Sequence, residues 1–118
     1  MDKFSLLITQ PLYQDKFLKS ENEQIELYQK IIDSYLKDEN IIIKTHPREK
    51  IDYKKLESNN KIIIINDNFP IEILNFIPNL KFNKVITILS TSIKLINNCN
   101  KKIMLGWPYL YDFMNKDK

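Results

Sequence analysis

Apolar residues in this chain recur in two registers, and the switch from one to the other marks out the elements. Phe4 to Thr9 is a short apolar run that reads as a strand, halted by Gln10-Pro11. After Ser20 the spacing becomes helical. Ile25, Leu27, Tyr28, Ile31, Ile32, Tyr35 and Leu36 predict a helix through about Lys37, with Ser20 as its cap and Glu23 at the capping-box position. Asp38-Glu39-Asn40 is a turn. The β-branched run Ile41-Ile42-Ile43 that follows is a second strand, closed by Lys44-Thr45-His46-Pro47.

Downstream the alternation continues. Asp52 to Leu56 is a weak turn-to-helix segment, Ser58-Asn59-Asn60 a loop, Lys61 to Ile65 a buried strand and Asn66-Asp67-Asn68 its exit. Pro70 to Asn75 reads as a short helix with Pro70 in its first turn, where the missing N–H costs nothing. Lys84 to Leu89 is a further strand, Ser90-Thr91-Ser92 opens a helix through Ile96, and Lys102 to Leu105 is a last strand. Strands separated by helices require crossover connections, so the pattern predicts a parallel sheet with flanking helices: a single Rossmann-like α/β domain over residues 1–118. The β-branched runs fit strands buried on both faces. Strand order does not follow from the pattern. The tail of Trp107, Tyr109, Tyr111 and Phe113 either packs a terminal helix on the sheet or belongs to an interface with a further domain.

Composition narrows the chemistry. With 43% hydrophobic and 28% charged residues the chain is an ordinary soluble globular sequence. Its net charge of +3 comes from lysines scattered among acids, which suits an anionic small ligand but lacks the clustered basic stripe of a nucleic-acid binder. One cysteine, Cys99, and one histidine exclude an internal disulfide and leave too few ligands for a structural metal; Cys99 reads as a small buried hydrophobe. Gly106 is the only glycine, so neither a Walker loop nor a dinucleotide-binding loop exists. Any phosphate must instead meet hydroxyls, cations and helix starts. No apolar run approaches the ~20 residues of a membrane span, so a cytoplasmic protein with at most peripheral membrane contact is expected.

Three strand ends carry reactive side chains: Lys44-Thr45-His46-Pro47, Pro70-Ile71-Glu72 and Ser90-Thr91-Ser92. In a parallel sheet all three share the carboxyl edge, where open α/β sheets hold ligands. Each has an ordinary structural role when taken alone, as turn histidine, first-turn glutamate and capping hydroxyl. Together, imidazole, carboxylate and hydroxyls suit a nucleotide, the hydroxyls facing phosphate and the carboxylate facing ribose.

These motifs, in this order, resemble a known family. Lys44-Thr45-His46-Pro47-Arg48-Glu49, then Asp52-Tyr53, then Phe69-Pro70-Ile71-Glu72-Ile73-Leu74, then Ser90-Thr91-Ser92, are similar to the bacterial lipooligosaccharide sialyltransferases of glycosyltransferase family 52. Leu7-Ile8-Thr9-Gln10-Pro11-Leu12 is similar to the segment that begins that family's carboxyl-terminal domain. The resemblance implies the donor-binding, carboxyl-terminal half of a GT-B-type enzyme that moves sialic acid from CMP-sialic acid to a galactose-terminated lipooligosaccharide, with inversion and without a metal or other cofactor. It assigns His46 to the CMP phosphate, as the acid assisting departure of CMP, and Pro47 to shaping the turn. Lys44 falls where the strand backbone meets the cytosine, with Thr45 beside it. Glu72 takes the ribose, and Ser90 and Thr91 are the hydroxyl pair at the phosphate. Arg48 and Glu49 belong to the pattern without an assigned role. The family's amino-terminal Asp/Glu-Asp-Gly motif, whose aspartate deprotonates the acceptor, does not occur in this chain. A donor-binding half, inactive alone and meeting its acceptor through a missing domain at the inner face of the inner membrane, is therefore expected. A glucosyltransferase of the same family and a non-catalytic α/β interaction module are the alternatives.

Overall fold

The β-branched runs pair with one another in parallel. The computed structural model describes residues 3–66 and 68–116. Its strands are β1 (Phe4–Ile8), β2 (Asn40–Lys44), β3 (Ile62–Ile65), β4 (Phe82–Thr87) and β5 (Cys99–Met104). They form one sheet in the order β3-β2-β1-β4-β5, every neighbouring pair parallel. Among the described residues, α1 (Glu21–Tyr35) and α2 (Gly106–Met114) are the α-helices, and the 3-10 segments Tyr53–Lys55, Ile71–Phe76 and Thr91–Leu95 complete the connections. This is the Rossmann-like α/β arrangement that the alternation predicts.

Strand alternation divides the core in two. Leu7, Ile41, Ile43 and Ile86 pack on one side with Leu27, Tyr28, Ile31 and Ile32 of α1 and with Leu110 and Phe113 of α2. Leu6, Ile8, Ile42 and Val85 lie on the other side, under Ile71, Leu74, Ile93 and Ile96. The helical stripe of α1 is thus the stripe read from the sequence. Ser20 is the expected cap, its hydroxyl accepting from the Glu23 N–H at 3.1 Å, but the Glu23 carboxylate reaches back to the Lys19 N–H at 3.4 Å rather than to that of Ser20 as in a capping box.

The last strand, expected from Lys102, begins at Cys99, whose side chain is half-buried. Other features differ from the sequence pattern for physical reasons. The helices expected after Pro70 and after Ser90 are 3-10 segments of six and five residues, too short to propagate an α-helical ladder. β3 is an edge strand, so its isoleucines are not buried on both faces and Ile63 is 40% exposed. β4 begins at Phe82 rather than Lys84, because the β1–β4 register carries an irregularity: Phe4 faces Phe82 but Leu6 faces Val85. The extra residue breaks the period-two pattern there. It also frees the Lys84 N–H, which donates to the buried Ser5 hydroxyl at 3.1 Å. In the aromatic tail, Gly106 supplies the positive φ of +80° that starts α2, Phe113 is buried, and Trp107 and Tyr111 stay exposed. Among the described residues no helix is long and apolar enough to cross a membrane.

Ser5 belongs to a polar knot at the amino edge of the sheet. Its hydroxyl donates to Glu39 at 2.6 Å, Asn83 donates to the same oxygen at 2.7 Å, and Lys84 pairs with the other oxygen at 2.8 Å. Partial burial pushes the Glu39 carboxyl up, but the hydrogen bonds from Lys84, Ser5 and Asn83 and the Lys84 charge outweigh it and hold the group below its ordinary value of 4.5. A depressed folded-state value means that the stabilisation is complete above 4.5 and is lost as pH falls through the lower folded value. Thermal midpoints measured across acidic pH should therefore fall below pH 4.5 in the native chain. Glu39→Gln should lower the midpoint at neutral pH and make the acid decline shallower.

Candidate functional site

Sheet order fixes where the chain opens. Connections run to β2 on one side of β1 and to β5 on the far side of β4, so the loops leaving β1 and β4 diverge at their carboxyl ends, and a crevice forms between them. A cavity of about 260 Å³ occupies this place. Thr9, Gln10 and Pro11 line it after β1, Lys44 to Arg48 after β2, and Ser90 and Ser92 after β4, with Phe69 and Ile71 contributed from beyond β3. A larger open groove of about 1330 Å³ runs along α1 and residues 55–60. Its lysines and acids are interspersed, whereas the smaller cavity gathers imidazole, cations and hydroxyls.

The His-Pro segment is a β-turn. The Glu49 N–H donates to the His46 carbonyl at 2.9 Å, and Pro47 takes the second position, for which its fixed φ is suited. The Arg48 N–H donates to His46 Nδ1 at 3.1 Å. A ring nitrogen that accepts from a peptide N–H carries no proton, so the neutral imidazole bears its proton on Nε2. Arg48 extends outward and forks onto Asp15 at 2.7 and 3.3 Å. That hydrogen bond holds the Asp15 carboxyl below its ordinary range, with desolvation opposing and the charges of Arg48 and His46 assisting.

Cations and hydroxyls complete the wall. Lys44 is only 5% exposed; its ammonium donates to the Thr45 carbonyl at 3.0 Å and lies 4.8 Å from the centre of the Phe69 ring. The Thr45 N–H extends the sheet by donating to the Ile65 carbonyl at 3.1 Å, and its hydroxyl reaches Asn66 at 3.1 Å. Opposite, the Ser90 and Ser92 hydroxyls are 2.6 Å apart, and the Ser90 N–H donates to the buried Thr87 hydroxyl at 3.2 Å.

Beneath the loops lies a buried polar network. Gln24, on the inner stripe of α1, is fully buried. Its carbonyl accepts from the Tyr13 N–H at 2.7 Å, and its amide nitrogen reaches the Gln10 carbonyl at 2.9 Å, Glu49 at 2.8 Å and the Tyr53 hydroxyl at 2.7 Å. Glu49 also accepts from the Tyr53 hydroxyl and, at 2.5 Å, from the Thr9 hydroxyl. The Tyr28 hydroxyl accepts from the Gln10 N–H at 2.9 Å, and the Gln10 side chain accepts from the Leu89 N–H at 2.7 Å. Burial, then charged neighbours, pushes the hydroxyls of Tyr28 and Tyr53 well up, so both stay protonated across physiological pH.

Of the side chains singled out from the sequence, Lys44, Thr45, His46, Pro47 and Ser90 line this one cavity. Glu72 and Thr91 do not. Glu72 is exposed and borders a separate groove with Asn75, Phe76, Lys94 and Leu95, although its neighbour Ile71 reaches the cavity wall. Thr91 faces solvent, and Ser92 stands beside Ser90 in its place. Sequence reasoning passed over Gln24 and left Glu49 in the motif without a role. Two signals mark them: a polar residue at the i, i+3, i+4 spacing of an apolar stripe, and a glutamate three residues after a turn histidine.

The family model described as glycosyltransferase family 52 matches residues 2–105. An uncharacterized protein of Haemophilus influenzae is 44% identical over 87 residues, which cover 74% of this chain and 27% of that protein. The chain thus spans about a quarter of the length of that relative.

Because Gln24 satisfies groups from three separate segments, Gln24→Leu leaves the Tyr13 N–H without its partner and removes a donor from Glu49 at little cost in volume, while the Gln10 carbonyl keeps the Leu12 N–H. Denaturant unfolding should show a loss of about 2–3 kcal/mol.

Proposed function

The chain belongs to glycosyltransferase family 52, and from that premise we propose that its cavity holds the nucleotide of a CMP-sugar donor, CMP-sialic acid, as the donor-binding, carboxyl-terminal half of a GT-B-type sialyltransferase. The observation that carries this reading is the meeting of His46, Lys44, Ser90 and Ser92 at one crevice where the sheet order reverses. CMP leaves as a phosphate that gains negative charge. Donors fixed around that phosphate therefore stabilise the transition state more than the ground state. The Nε2–H of His46 and the hydroxyls of Ser90 and Ser92 are such donors, and the Lys44 ammonium adds positive charge at the wall. Glu72 meets the ribose only if the nucleoside extends past Ile71 toward the neighbouring groove. The galactose-terminated lipooligosaccharide acceptor, and the base that deprotonates it, fall to a domain outside this chain, working at the inner face of the inner membrane.

Calorimetric titration with CMP, UMP and UDP tests the reading. CMP should bind most tightly. His46→Ala and Ser90→Ala should each weaken it about tenfold, the loss expected for one hydrogen bond to a charged group, and Glu72→Ala should weaken it less. Equal affinity for the three nucleotides, or no binding, would overturn the assignment.

A further inference from the structure

We propose that Glu49 is the positioning residue for His46: through the His46–Glu49 turn it fixes the imidazole with Nδ1 facing the backbone and the proton on Nε2 at the cavity. The inference rests on the reading of His46 as the donor to the leaving phosphate. It assigns a task to a side chain that touches no ligand.

The geometry is a pair of hydrogen bonds that grip His46 at its ring and at its backbone. The His46 ring accepts from the N–H two residues on, at 3.1 Å, and the Glu49 carboxylate accepts from the His46 N–H at 2.6 Å. The return of the Glu49 carboxylate to the His46 N–H is the half of a capping box that its Glu makes, here carried by a β-turn, while the ring takes the N–H of Arg48 and the Glu49 N–H goes to the His46 carbonyl. Pro47, lacking an N–H, offers no competing donor between them. The turn leaves His46 few ways to rotate without losing the bond from Arg48.

Glu49 can impose this arrangement because it is itself held from behind. Thr9 of the β1 loop donates to it at 2.5 Å, Gln24 of α1 at 2.8 Å, and the Tyr53 hydroxyl closes the set. With the His46 N–H, four donors fall on two carboxylate oxygens, which is about what their lone pairs accommodate. Glu49 does not line the cavity, so nothing remains of it for a ligand. Its effect on chemistry runs through the residues it holds, of which His46 carries the imidazole at the cavity and Thr9 forms part of the wall. The Arg48–Asp15 pair steadies the outer side of the same turn, but its side chains are 59% and 36% exposed, and such pairs hold weakly.

His46 is the only histidine, so the imidazole nitrogen NMR signals of the uniformly labelled full chain belong to it alone. At about pH 8, where an ordinary imidazole is neutral, the native chain should show one tautomer with the proton on Nε2. Glu49→Gln should bring in the second tautomer and raise the dissociation constant of CMP about tenfold. Tyr53→Phe, which keeps the ring and removes one donor to Glu49, should shift the tautomers in the same direction by less. A proton on Nδ1 in the native chain overturns the proposal. So does either variant, folded by circular dichroism, with its His46 signals unchanged. Because the tautomer is read without nucleotide, a shift in the variants with no CMP binding supports the positioning role while sinking the donor-site reading. CMP binding with unshifted tautomers does the reverse.

Discussion

One carboxylate ties the carboxyl edge of this sheet together. Glu49 collects hydrogen bonds from Thr9, Gln24, Tyr53 and the His46 backbone, groups separated by as many as 40 residues in sequence. A carboxylate withdrawn from water is costly unless its lone pairs are met, and a partly met network is worse than an apolar one. Here they are met from four segments at once: the β1 loop, α1, the 3-10 segment at Tyr53 and the turn itself. The loop after β1, the first turns of α1 and the His-Pro turn therefore form a single body rather than three connections that happen to be near one another.

That body supplies one wall of the cavity, and the other wall is built differently. On the side of α1 and α2 the sheet is covered by long helices over a deep core. On the other side two 3-10 segments do the covering, and Phe76 remains 80% exposed with Ile73, Ile77 and Leu95 also at the surface. Thin cover with few buried contacts is where local opening costs least. The site thus places a rigid histidine turn opposite Ser90 and Ser92, which stand on the thinly covered side.

A second polar knot, around Glu39, holds the opposite edge of the sheet. It gathers Ser5, Asn83 and Lys84 at the irregularity between β1 and β4, the pair that flanks the crevice. β1 and β4 are therefore fastened at one end by ionic and hydrogen-bonded side chains, while at the other end their chains part around the cavity. The bulge that spoils the apolar alternation of β4 is the same feature that lets Ser5 satisfy a stray N–H.

Much of the fold was legible in the residues themselves. The stripe and cap of α1, the β-branched strands, the parallel character of the sheet and the His-Pro stop after β2 all follow from local propensity and period, which a sequence states directly. That His46, Lys44, Thr45, Pro47 and Ser90 line one cavity was foreseeable because they sit at strand ends, and parallel strands put their ends on one edge. What the chain could not state was anything set by pairing across distance. The order β3-β2-β1-β4-β5 decided that β3 lies at an edge and that the crevice opens between β1 and β4. The short 3-10 path after Ser90 put Ser92 rather than Thr91 beside it, and the path after Pro70 sent Glu72 to a neighbouring groove. Glu49 and Gln24 meet across 25 residues. Such meetings depend on register and loop path, and period alone encodes neither.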